Sequence, residues 1–68
     1  DILYVAQVML NKLADTFANI SRPNINGEYD AKMQKSISDF QKQFNLPQNG
    51  FDKNTWDQLT RIYNEIKA

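Results

Sequence analysis

The sequence predicts an all-α domain: a small three-helix bundle in which one unit, a tight turn followed by a capped helix, is used twice. Three observations predict it. Tyr29, Asp30, Met33, Ile37, Phe40 and Phe44 are answered 22 residues later by Phe51, Asp52, Thr55, Leu59, Ile62 and Ile66, and each stretch follows an Asn-Gly pair, Asn26-Gly27 and Asn49-Gly50. From each acid the next steps are +3, +4, +3 and +4, which keeps the apolar residues on one face of a 3.6-residue helix. The opening segment carries its own stripe, Ile2, Ala6, Met9, Leu10, Leu13 and Phe17. No alternating apolar-polar strands flank the Asn-Gly pairs, so the hairpin reading that such pairs usually invite does not apply.

The elements follow in order. Asp1 is suited to cap a first helix over about residues 2–18, with Val5 widening the apolar stripe and Gln7, Asn11, Lys12 and Asp15 on the opposite side. Asn19 is expected to end it in left-handed backbone, with Ile20 folding back onto the last turn. Ser21 to Asn26 is loop chemistry, Arg22 is pushed out of helical geometry by Pro23, and Ile25 is expected to pin the loop to the core. Asp30 caps a second helix over about residues 31–44. Asn45 then supplies a left-handed cap, Leu46 the returning apolar contact, and Pro47 the stop. Asp52 caps a third helix over about residues 53–66, whose face is Trp56, Leu59, Ile62 or Tyr63, and Ile66. Tyr29 and Phe51, each just before a cap, stand where the outer half of a hydrophobic staple belongs.

Sixty-eight residues make one domain, near the lower limit for folding without a staple, with a net stability of about 5 kcal/mol expected from packing alone. The chain starts at Asp1, the pattern expected of a segment cut from a longer protein. It has no Cys and no His, which removes disulfides, thiolate metal sites, and the commonest metal ligand and general base. Eight basic side chains balance eight acidic ones. That neutrality argues against nucleic acid and against a polybasic membrane patch. In the third helix, Lys53, Arg61 and Lys67 face Asp57 and Glu65, too little positive charge for a recognition helix. No apolar run approaches the roughly 20 residues of a membrane span.

Read together, Asn26-Gly27-Glu28-Tyr29-Asp30-Ala31-Lys32-Met33, Ile37, Phe40-Gln41, Leu46-Pro47, and Thr55-Trp56 with Leu59 resemble the peptidoglycan-binding-like domain of bacterial cell-wall proteins. Val5, Gln7, Leu10 and Leu13 fit that family's opening helix, so the resemblance covers nearly the whole chain. Phe-Gln, Leu-Pro and Thr-Trp at these separations are specific together and weak singly. The chain differs in carrying Asn where the family's turns usually have Asp, Asp30 and Asp52 where it usually has Gly, Met33 for the first Thr, and Asn45 for the Gly before Leu-Pro. The resemblance implies a non-catalytic module that binds peptidoglycan, through glycan strand or peptide stem. It would anchor an attached enzyme or envelope protein as a monomer in the extracellular wall, or the spore envelope, of a bacterium. The same arrangement also resembles the prodomain of some secreted metalloproteases, which keeps open a protein-interaction or prodomain-like role without wall binding.

The candidate ligand residues are Arg22, Asn24, Asn26, Tyr29, Gln48 and Asn49, on two loops that the repeat should place on one side. Amides pair with acetamido groups as donor and acceptor together, and Arg can clamp a stem carboxylate. An aromatic face packs on sugar C–H groups, and Tyr adds a hydroxyl at its edge. Turn chemistry alone also explains the amides. Trp56 is expected in the core, with a sugar-stacking platform as the functional alternative.

Calcium fails a positional test: with Gly27 as the loop glycine, Arg22 and Met33 take the first and last ligand positions, and with Gly50, Asn45 and Trp56 do. Neither loop ends in the required bidentate Glu. No metal site, cofactor or catalytic residue is therefore predicted. Asp30 and Asp52 are the only acids in equivalent places, and helix capping accounts for both.

Overall fold

The structure, a computed structural model, describes residues 1–67. It consists of α1 (Ile2–Thr16), α2 (Ala31–Gln43) and α3 (Lys53–Lys67), with no strand among the described residues. α1 packs against both later helices. The core is drawn from all three: Ala6, Leu10 and Leu13 from α1, Met33, Ile37 and Phe40 from α2, and Leu59 and Ile62 from α3. Ile20, in the connection after α1, closes one end at 3 % exposure. Phe44 meets Phe17 edge to face and Phe40 at a tilt, its ring centre 5.1 Å from each of theirs.

Each helix starts on an aspartate that accepts an otherwise orphaned N–H. Asp1 takes that of Leu3 (3.0 Å), Asp30 that of Met33 (2.9 Å) and Asp52 that of Thr55 (2.9 Å). α2 ends as Asn45 and Leu46 predict. Asn45 is left-handed at φ 57°. Its N–H donates to the carbonyl of Lys42, and the Leu46 N–H to that of Gln41 at 2.8 Å, a Schellman closure.

The structure corrects the sequence reading at several places. α1 ends two residues early. Phe17 leaves it in extended backbone, and Asn19 is not left-handed, because Asn45 is the sole non-glycine residue with positive φ among those described. Ile20 is instead brought in by a short turn, its N–H donating to the Phe17 carbonyl at 3.0 Å. Ile25 faces solvent at 41 % exposure and pins nothing. Ile2 and Val5 also lie outside the core. The largest revision concerns polar residues. Gln7, placed on the solvent side by periodicity, is completely buried, and so are Ser36 and Thr55, while Gln41 is buried at 1 % exposure. On α3 the inner register is Thr55, Leu59 and Ile62. Trp56, Tyr63 and Ile66 pack against the cluster from its margin.

Candidate functional site

Two buried glutamines build the corner where the loops meet. Gln7, on α1, reaches the turn before α2. Its Oε1 accepts the N–H groups of Asn26 (2.8 Å) and Gly27 (2.7 Å), and its Nε2 donates to the Glu28 carbonyl (2.8 Å) and to Asn26 Oδ1 (3.3 Å). Gln41, on α2, does the corresponding work for the turn before α3. Its Nε2 donates to the Gly50 carbonyl and to Thr55 Oγ1, both at 2.8 Å. Each amide thus replaces backbone pairing that an irregular turn cannot supply for itself. Gly27 (φ +76°) and Gly50 (φ +78°) take left-handed backbone. At Gly27 it is this backbone that favours glycine: a Cβ there would stand 2.9 Å from Asp1 Oδ2, the end of an exposed side chain that can swing aside.

The repeat is broken where it matters for the surface. Phe51 precedes its cap and meets Trp56, the fourth helical residue, edge to face with ring centres 6.0 Å apart, a hydrophobic staple. The equivalent partner of Tyr29 is Gln34, which offers no apolar face, so no staple forms. Tyr29 is left 42 % exposed. It leans across to the second turn instead: its hydroxyl oxygen lies 3.6 Å from where a Cβ on Gly50 would stand. One loop's aromatic is thereby set beside the other loop's glycine, next in sequence to Asn49.

The six predicted residues do not converge on one point. Asn24 and Asn26 both donate to Asp30 Oδ2, at 3.2 and 3.5 Å, and Asn26 Oδ1 accepts the Glu28 N–H at 2.9 Å. Gln48 accepts from the Ser38 hydroxyl of α2 at 3.3 Å. Asn49 is exposed. Arg22 lies apart. Its guanidinium is held by Asp15 (2.6 Å) and by the carbonyl and side chain of Asn11 (2.9 and 3.0 Å). Those partners lie four and eight residues beyond Gln7 on α1, roughly 6–12 Å further along the helix. Asn26, Tyr29 and Asn49 are therefore the predicted residues nearest the shared corner.

Hydrogen bonds hold several carboxylates in their ionised form. Hydrogen bonding from the Met33 N–H, then from Asn24, holds Asp30 below the ordinary 3.8. Hydrogen bonds from Thr55 do the same for Asp52, and those from Arg22 for Asp15. Burial pushes Asp39 up, but hydrogen bonds from Ser21 and Lys35 outweigh it and leave that group low as well. These carboxylates are acceptors at neutral pH. No pair is pushed apart into acid and base, and no group of three or more acidic residues gathers as a cation site among the described residues.

The surface also carries depressions. A polar cleft of about 380 Å³ lies among Asn19, Asp39, Lys42 and Gln43, and contains none of the six predicted residues. A shallow groove of about 300 Å³ is lined by Ile2, Phe51, Asp52, Lys53 and Trp56. Periodicity missed the groove because it assigned Trp56 to the interior. It missed the glutamines because a buried amide carries no apolar signal. Gln41 and Gln7 do stand among the residues that resemble the family pattern, and that was the available clue.

Comparison with protein families matches residues 3–59 to the family described as "Putative peptidoglycan binding domain". No curated protein and no solved structure matches significantly. Among the described residues, no helix is long and apolar enough to cross a membrane.

Proposed function

From the premise that this chain belongs to the peptidoglycan-binding domain family, matched over residues 3–59, we propose that it is a non-catalytic module that binds bacterial peptidoglycan at the corner shared by its two loops. It holds an attached enzyme or envelope protein against the wall outside the cell. The observation that supports this most directly is the family match coupled to a corner fixed from within: Gln7 and Gln41 hold both turns, while Tyr29 and Asn49 remain exposed on them. A preformed site binds without first ordering its own loops, a cost that would otherwise subtract from affinity. Asn49 offers donor and acceptor to acetamido groups, Asn26 offers the second N–H of its amide, the rest of which is engaged by Gln7, Glu28 and Asp30, and Tyr29 offers a ring face and a hydroxyl. Arg22 stays among the ligand candidates through its outer edge, although its inner edge is tied to α1. Affinity of a single copy is weak. Its use is to raise the local concentration of whatever it is attached to.

The test is co-sedimentation with insoluble peptidoglycan. The domain is expected in the pellet, and Asn49→Ala, a change at an exposed side chain, is expected to reduce that fraction while leaving the thermal midpoint nearly unchanged. A domain that stays in the supernatant refutes the proposal.

A second reading, an interaction or prodomain-like module, is favoured by one feature: Ile2, Tyr4, Val5 and Val8 expose apolar surface along α1, at 38–53 %. It predicts no pelleting with purified wall.

A further inference from the structure

The groove beside the second turn has a chemistry of its own. Phe51 and Trp56 meet nearly at right angles, 80° between ring planes, and Ile2 supplies a third apolar side. Both rings are only partly buried, so each keeps surface in solvent. The rim is charged and partly engaged. Lys53 donates to Asp57 at 2.8 Å, and Asp52 accepts the Thr55 N–H through Oδ1. Counting Asp52, Lys53 and Asp57 leaves the rim at a formal −1. Such a rim repels the carboxylates of a peptide stem and accepts hydrogen bonds from neutral hydroxyl and amide groups.

We propose that this groove is a sugar subsite, taking the apolar face of one N-acetylated hexosamine ring of the glycan strand. The proposal rests on the wall-binding reading above and names the portion of the wall that is held. A pyranose presents C–H groups on one face and hydroxyls at its edge. Trp56 and Phe51 receive the former, and the second oxygen of Asp52 accepts from the latter. The volume of about 300 Å³ is at the low end for ligand clefts and suits one ring. Phe51 directly follows Asn49-Gly50, which places the groove beside the second turn.

Trp56 is the sole tryptophan in the chain and reports on its own site. Titration with a peptide-free β-1,4-linked N-acetylglucosamine tetramer is expected to change Trp56 emission saturably, at millimolar or lower concentration. A stem tetrapeptide is expected to leave it unchanged. Trp56→Leu, which keeps an apolar contact with the core, is expected to bind insoluble peptidoglycan about tenfold more weakly. The measurement on the unaltered domain stands even if that variant fails to fold. If the domain pellets with peptidoglycan but its emission ignores the tetramer, or answers the peptide instead, the subsite is overturned while wall binding survives. If the domain does not pellet at all, the premise itself has failed.

Discussion

Replacing Gln7 with Ala isolates the device on which the corner depends. The side chain makes three short hydrogen bonds, at 2.7, 2.8 and 2.8 Å, and is fully buried. Each contributes about 1 kcal/mol net, and the lost methylene adds about 0.8 kcal/mol. Water can reach the turn once the amide is gone, which trims the sum to about 3 kcal/mol. For a domain of this size the total stability is about 3–10 kcal/mol, so the variant should be close to unfolding. In urea, with a slope of about 1 kcal/mol/M, the midpoint should fall by about 3 M. Gln7→Glu is the informative partner. It has the same shape and keeps an acceptor for Asn26 and Gly27, but it sets a carboxylate against the Glu28 carbonyl. It should fall between the two, about 1–2 kcal/mol below the native chain. Where Gln7→Ala remains folded, amide exchange should speed up at Asn26 and Gly27 more than in the core helices. A loss below 1 kcal/mol, or exchange that rises evenly across the chain, would refute the idea that one buried amide organises the first turn.

Three further outcomes follow from single groups. Ser36 is fully buried and its hydroxyl has no hydrogen-bond partner among the described residues. Ser36→Ala should therefore stabilise the domain by about 0.5–1 kcal/mol in the same urea assay, combining helix propensity with removal of an unmet polar group. Asn45 sits at φ 57°; Asn45→Ala should cost about 1 kcal/mol while Asn45→Gly should be neutral or slightly stabilising, read as paired shifts in thermal midpoint. Asp30 and Asp52 are held below 3.8 in the folded state, so the unfolded chain binds more protons as pH falls. Their contribution is complete above about pH 5 and is lost as pH drops through 3.8 towards the lower folded values. Asp30→Asn and Asp52→Asn should flatten that acid limb of a stability-pH curve while still capping their helices.

The helices were legible because each begins on a capping acid and carries its apolar residues at helical spacing. Asn45-Leu46-Pro47 announced the end of α2 for the same kind of local reason. The margin of error was one of side-chain identity. An amide on a helix reads as solvent-facing unless the turn it must satisfy is known. Gln7 and Gln41 meet their turns 20 and 9 residues away in sequence, beyond what periodicity can report. Trp56 was misplaced because the repeat aligns Thr55, not Trp56, with Met33, and a threonine satisfied by Gln41 can occupy a buried register that an apolar pattern would give to the indole. The loops that carry the candidate residues were legible, and Asn24 stands there at the Asp30 cap. The division of the other candidates into a corner (Asn26, Tyr29, Asn49), a flank (Arg22) and a contact on α2 (Gln48) was not legible, because it depends on how α1 crosses the two turns.

The central claim is that the two turns form a single recognition corner held rigid from inside. Amide chemical-shift mapping with soluble peptidoglycan fragments tests it most directly. The account predicts shifts concentrated in residues 26–30 and 48–52 and at the Trp56 indole, with α1 beyond Gln7 quiet. Shifts confined to Tyr4, Val5 and Val8, or to the cleft at Asn19 and Lys42, would contradict it.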